Sequence, residues 1–268
     1  MTSPFELAGP FELAGPFELT GRVALVTGSS RGIGSAIADG LARSGAAVIL
    51  NGRDESRLAR ALDSARRRTP GAAWSACAFD VTDEAATEKA VAECESAIGP
   101  IDILVNNAGI QLRKPLTEIS LANWRSVIDT DLTSAFLVGR TVARPMIQRG
   151  RGKIINVCSV QSELARPGIG AYTAAKGGLR NLTRAMAAEW SPAGLQINGL
   201  APGYILTEMT RPLAEDPEFD AWVRNRTPAR RWGRVEDLAG PAVWLASPAS
   251  DFVTGQVIYV DGGMTSVV

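Results

Sequence analysis

Residues 22–34 read RVALVTGSSRGIG, and this stretch decides the fold. Its first six residues are a short apolar run rich in strand-forming types. A glycine turn with the spacing Gly28-x-x-x-Gly32-x-Gly34 follows at once and opens an amphipathic segment. Gly28 permits a tight bend, and Gly32 lets backbone N–H groups approach a pyrophosphate at the positive end of a helix. Gly34 permits close packing of helix on strand. Ser30, Arg31 and Ile33 fill the positions between them. A strand, such a turn and a helix in succession predict the first unit of a dinucleotide-binding sheet.

Working outward, the pattern repeats. Apolar runs at 22–27, 47–50, 74–79, 101–105, 153–157, 196–200 and 256–260 predict seven strands. Between them, helical periodicity predicts helices at about 32–44, 54–68, 83–98 (with Thr82 as N-cap), 121–149, 171–190 and 235–246. Strands joined by right-handed helical crossovers pair in parallel. Their continuous apolar character is that of strands covered on both faces. The fold class expected is α/β: a single doubly wound Rossmann-type domain with a seven-stranded parallel sheet flanked by helices.

Upstream, a six-residue unit stutters. Residues 4–9 and 10–15 both read PFELAG, and 16–21 read PFELTG. A proline in every unit suits no helix, and three copies are too few for a solenoid. Residues 1–15 are therefore expected to be a poorly ordered leader and 16–268 the folded domain, with the third copy its native lead-in.

Composition excludes several kinds of chemistry. The 268 residues include no histidine, so a Ser-His-Asp triad, a Cys-His dyad and a His-ligated zinc site cannot be built from this chain. No metal is expected. The 28 basic and 28 acidic residues cancel, which gives no electrostatic case for nucleic acid or an anionic membrane. No apolar run reaches 18 residues, and no signal-peptide pattern is visible. Cys77, Cys94 and Cys158 are odd in number and have no CxxC spacing, as expected of a cytoplasmic protein with buried thiols.

Two constellations carry chemistry. At the tip of the second predicted strand, Leu50-Asn51-Gly52-Arg53 lacks the carboxylate that would hold the ribose 2′-hydroxyl of NAD. Arg53 and Arg31 are placed to pair with a 2′-phosphate, which favours NADP(H). Asp54, one residue on, leaves NAD(H) open. Second, Tyr172 and Lys176 stand four apart on one predicted helix and so share a face, while Ser159 lies just past the fifth strand. A phenol with a reference pKa near ~10 is a poor base at neutral pH. Lowering it by ~2 units takes ~3 kcal/mol of differential stabilisation, within reach of one desolvated ammonium. Ser159 is then placed to hydrogen-bond a reacting oxygen while Tyr172 passes the proton.

Taken together, 27–34 (TGSSRGIG), Asp80-Val81, 106–109 (NNAG), Ser159, Tyr172-x3-Lys176, Pro202-Gly203 and 259–263 (YVDGG) resemble the short-chain dehydrogenase/reductase family from Phe17 onward. The resemblance implies that Ser159, Tyr172 and Lys176 are catalytic. It also implies that Asp80 and Val81 border an adenine and that Asn107, Ala108 and Gly109 line the adenosine side. The segment 202–207, with Pro202, Gly203, Ile205 and Thr207, would cover the nicotinamide, and Tyr172 and Lys176 would also touch the cofactor. In that family an asparagine on the long helix completes a tetrad; here the position is Asp131, which gains a charge and loses an amide donor. The stretches 110–115, 160–167, 203–210 and 217–233 resemble the gluconate 5-dehydrogenase subgroup. They are cationic and polar, and Gln111, Arg113, Gln161, Glu163 and Arg166, beside Ser159 and Tyr172, suit a small polar, polyhydroxylated acid. Two alternatives stand: reduction of another carbonyl (a 3-oxoacyl thioester, ketose or polyol), or a nucleotide-binding sensor that Asp131 has deprived of turnover. The resemblance also implies a homotetramer (or homodimer) formed through the two long helices.

Overall fold

The computed structural model describes residues 15–268. Seven strands, β1 (Val23–Val26), β2 (Ala47–Gly52), β3 (Trp74–Ala78), β4 (Ile101–Asn106), β5 (Gly152–Val157), β6 (Leu195–Pro202) and β7 (Val257–Val260), form one sheet. Its order is β3-β2-β1-β4-β5-β6-β7, and each neighbouring pair is parallel. β1 pairs with both β2 and β4, so the order reverses there. That switch point opens a crevice at the carboxyl ends of the strands, where open α/β sheets bind ligands.

The period of two along β1 explains how the sheet is held. Ala24 and Val26 face one core, with Ile37 and Leu41 of α1 (Gly32–Arg43). Val23 and Leu25 face the other, with Val91 and Cys94 of α3 (Glu84–Ala97). The first core also takes in α2 (Glu55–Arg68) through Leu58 and Ala65. Every side chain of β1 is buried on one face or the other, which is why the sequence there is apolar without alternation. The third hexapeptide is built into this frame. Leu19 is buried in the first core and its N–H donates to the Ser44 carbonyl. Of the expected leader, residues 1–14 lie outside the described residues.

Three expectations are corrected. The predicted helix 121–149 is α4 (Leu121–Ile128) and α5 (Ser134–Arg149) joined by a π turn, Asp129–Thr133. The N-cap of α3 is Asp83, whose carboxylate accepts from the Ala86 N–H. Thr82 is not the cap, because its hydroxyl donates instead to Asp80. Only Ala239–Ala246 of the predicted 235–246 is α-helical; 3-10 turn Val235–Leu238 precedes it. Between β6 and that last helix the chain adds a single turn, α7 (Arg211–Ala214), and α8 (Pro217–Arg226), neither of which periodicity indicated. The long helix α6 (Gly170–Trp190) and then α9 (Ala239–Ala246) complete the set. Among the described residues, no helix is long and apolar enough to cross a membrane.

Candidate active site

The glycine turn is held open by close backbone contacts. Gly28 and Gly32 have φ of 61° and 60°, where a side chain is strained, and Gly34 has no room for one. A Cβ on Gly34 would stand 2.4 Å from Asn107 Nδ2. That amide is committed to the turn, donating to the carbonyls of Thr27 and Gly28 at 2.9 and 3.1 Å. The Thr27 hydroxyl accepts from the N–H groups of Asn107 and Ala108. Asn107 and Ala108 thus brace the turn. At the first turn of α1 the N-cap is Arg31, which makes no side-chain cap hydrogen bond. By contrast α2, α3 and α4 are capped by Asp54, Asp83 and Ser120. An uncapped N-terminus beside glycines in the left-handed region fits a pyrophosphate, which would supply the missing acceptors. Ser30 lies over the β2 tip, close to Gly52, and Ile33 packs toward the first core.

The β2 tip is occupied by a buried amide. Asn51 accepts from the Gly28 N–H at 3.2 Å and donates to the carbonyls of Cys77 and Phe79, locking turn, β2 and β3 together. Arg53 stands beyond it in solvent, 3.4 Å from Asp80. Arg31 is paired with Glu208, which lies on the segment after β6. Exposed pairs of this kind are worth at most about 1 kcal/mol, so a phosphate dianion can displace either acid. Part-burial opposes ionisation of Asp80, but the N–H and hydroxyl of Thr82 and the Arg53 guanidinium hold it below the usual carboxylate range. Val81 is buried in the second core, so only its backbone can face a ligand.

On the other side of the crevice the predicted proton-transfer residues meet. β5 delivers Ser159 to its carboxyl end, and α6 presents Tyr172 and Lys176 on adjacent turns. The Ser159 hydroxyl lies beside the Tyr172 phenol and accepts from the Gln161 N–H at 3.1 Å. Lys176 Nζ donates to the Val157 carbonyl at 2.9 Å and stands 5.6 Å from the centre of the Tyr172 ring. The π turn brings in Asp131, buried, with Oδ2 accepting from the Ile110 N–H at 2.9 Å and Oδ1 3.4 Å from Lys176 Nζ. The same oxygen leaves Gly109 no room for a side chain. Burial raises the Tyr172 pKa; Lys176 pulls it back and Asp131 pushes it further up. For Lys176, burial opposes the charge, yet Asp131 and Tyr172 outweigh it and hold the ammonium above its usual range. Asp131 itself is raised by burial, against the pull of Lys176. Beneath this group a buried chain runs from Asn106 through Asn156 to Thr183 and fixes β4, β5 and α6 relative to one another.

The loops at the mouth sort differently from expectation. Arg113 bonds Gln111 and the Met209 carbonyl, so the two loops are tied. Glu163 points away, paired with Arg180. Residues 202–207 cross the crevice: Gly203 packs on the backbone of Asp261, Ile205 is buried, and Thr207 bonds Thr210. An aromatic group that sequence reading missed stands behind them. Tyr204 meets Phe219, Trp222 and Trp232 edge-on at 5.6, 5.7 and 5.7 Å. Two of these rings belong to α8, which the sequence did signal: Asp216 and Pro217 are an N-cap and N1 pair, and Asp216 accepts from the N–H groups of Glu218 and Phe219. Among the described residues, no group of three or more His, Cys, Asp or Glu side chains could hold a metal ion.

A parallel sheet with a phosphate-shaped turn at its switch point, facing a Ser-Tyr-Lys group, defines a nucleotide-dependent oxidoreductase. The family model described as enoyl-(acyl carrier protein) reductase matches residues 28–265. The chain belongs to that family, within the short-chain dehydrogenases/reductases. It is 58% identical over 244 residues to gluconate 5-dehydrogenase of Gluconobacter oxydans (strain 621H), covering 90% of this chain and 94% of the relative. It is 48% identical over 240 residues to 5-keto-D-gluconate 5-reductase of Escherichia coli (strain K12), with the same coverage of both chains. Among solved structures, gluconate 5-dehydrogenase from Burkholderia cenocepacia J2315 in complex with NADP and tartrate superposes with a TM-score of 0.90 at 52% identity, covering 94% of this chain and 98% of that one.

Proposed function

We propose that this chain is an NADP-preferring oxidoreductase that interconverts a secondary alcohol and a ketone on a sugar acid, gluconate and 5-ketogluconate. The observation that carries this reading is the meeting of Ser159, Tyr172 and Lys176 at the end of β5, on a chain 58% identical to a gluconate 5-dehydrogenase. Bound NADP(H) would supply hydride exchange at its nicotinamide. Gly28, Ser30, Gly32, Ile33 and Gly34 hold the pyrophosphate on the α1 N-terminus. Arg31 and Arg53 exchange Glu208 and Asp80 for the 2′-phosphate, Asp80, Val81 and residues 107–109 flank the adenosine, and 202–207 cover the nicotinamide. Ser159 donates a hydrogen bond to the reacting oxygen. In reduction Tyr172 hands its proton to that oxygen; in oxidation it takes the proton back. Lys176 orients the phenol and favours its ionised form, and Asp131 offsets part of that help.

The free thiols of Cys77, Cys94 and Cys158 support a cytoplasmic setting. Phe136, exposed on α5, supports assembly through the long helices as a homotetramer or homodimer. Steady-state reduction of 5-keto-D-gluconate, an acetoacetyl thioester and a ketose, each with NADPH and NADH, tests the reading. The expected result is the highest kcat/KM for 5-keto-D-gluconate with NADPH. A higher value for the thioester or the ketose overturns the substrate, and a preference for NADH overturns the cofactor. NADPH binding without turnover on any of them favours the sensor.

A further inference from the structure

The loops at the mouth hold polar atoms that proton transfer does not use. The Tyr204 hydroxyl, Arg166 Nη2 and Gln161 Oε1 are all buried without a hydrogen-bond partner among the described residues. Buried polar atoms are normally paired, because leaving one unmade costs the full desolvation of that group. These three are neighbours of the reaction centre. Gln161 is 7% exposed and joined to Ser159 through its N–H, and Tyr204 is close enough to Tyr172 for their charges to interact. Arg166 stands beside the Tyr204 phenol and over the Phe219 ring, 5.3 Å from its centre. Arg113 faces Arg166 closely enough for the two cations to repel. The acids of the same loops are engaged elsewhere, Glu163 by Arg180 and Glu208 by Arg31.

We infer that Arg166 and Tyr204, with Arg113 at the rim, form a clamp for the substrate carboxylate and make Tyr204 a specificity-determining residue for acids over neutral ketoses. A carboxylate has two oxygens with lone pairs to spare: one accepts from the guanidinium, the other from the phenol. Its charge also relieves the repulsion between the two arginines. The phenol is aimed before substrate arrives, because three rings hold Tyr204 edge-on and Trp232 is itself fixed by donating to Asp220 at 2.7 Å. Gln161 Oε1 is left to accept from a substrate hydroxyl nearer the reacting carbon. The acid end thus binds between the loop before α6 and the segment after β6 that α8 backs, while the carbonyl to be reduced binds at Ser159 and Tyr172.

This inference rests on the proposed sugar-acid activity, so its test separates the two. Tyr204→Phe, which keeps the ring, and Arg166→Gln are compared with the wild type on 5-keto-D-gluconate and on a neutral ketose, with tartrate as a competitive inhibitor in the presence of NADPH. The acid-to-neutral ratio of kcat/KM is expected to fall about 10-fold in Tyr204→Phe and about 100-fold in Arg166→Gln, carried mainly by KM. The tartrate inhibition constant should rise in the same order. An unchanged ratio, or equal losses on both substrates, overturns the clamp in favour of a packing role. A wild type that reduces only the neutral ketose overturns the proposed function instead. In that case the clamp is decided by tartrate alone: weaker inhibition of the two variants supports it, and unchanged inhibition overturns it.

Discussion

Exchanging an amide for a carboxylate at position 131 alters the charge of the Ser-Tyr-Lys group while hardly altering its shape. Asp131 accepts the Ile110 N–H through one oxygen and stands by Lys176 with the other, both positions that an amide can also fill sterically. The sign of the effect follows from the neighbours. Asp131 adds to the rise in the Tyr172 pKa that burial begins, so a phenolate forms only at more alkaline pH. In the proposed reaction alcohol oxidation needs that phenolate, so its rate is expected to climb with pH through the Tyr172 titration. Asp131→Asn is expected to move this limb of the kcat/KM profile toward neutral pH; superimposable profiles would show that Asp131 does not tune the phenol. Tyr172→Phe should reduce kcat by roughly 10²- to 10⁴-fold. Fluorescence titration should find NADPH binding within a few-fold of the parent, and a matching loss of binding would assign Tyr172 to cofactor holding instead.

Among the elements, α3 and α8 show how local chemistry competes with pattern. Thr82 and Asp83 are both good caps, and the choice falls on Asp83 because Asp80 captures the Thr82 hydroxyl and N–H. Asp83→Ala is therefore expected to cost about 1 kcal/mol in urea unfolding, while Thr82→Val leaves the α3 cap in place. A larger loss from the threonine would reverse the assignment. The π turn between α4 and α5 is the other element-level decision. It widens the helix by one residue, and Asp131 sits in that widened turn, against Lys176. α8 escaped periodicity because only Val223 is fully buried; its Phe219 and Trp222 answer to Tyr204 and not to the sheet.

For the whole molecule, the third hexapeptide is a structural part of the domain. Leu19 is 1% exposed and packs in the same core as Leu41. Leu19→Ala should lower stability by about 2–5 kcal/mol, read from urea or thermal unfolding. A loss below about 0.5 kcal/mol would class the segment with surface attachments. The two faces of the sheet are covered by separate helix sets, and the crevice at the β1/β4 switch point lies between the glycine turn and the Ser-Tyr-Lys group. Arg31 and Glu208 pair across it, joining the turn to the segment that follows β6.

The strands, the parallel sheet and the Tyr172–Lys176 face were legible in the sequence because each rests on short-range spacing: apolar runs covered on both sides, glycines at fixed offsets, side chains four apart on one helix. The absence of histidine in the sequence alone also dictated a proton carrier other than imidazole. Other features needed the tertiary structure, since they join residues far apart in the chain. Tyr204 is placed by Phe219, Trp222 and Trp232, and Asp131 reaches Lys176 only through the π turn. Arg166 and Tyr204 meet although 37 residues lie between them. Sequence spacing specifies local backbone geometry; which buried polar atoms are left without partners is decided only when distant loops pack.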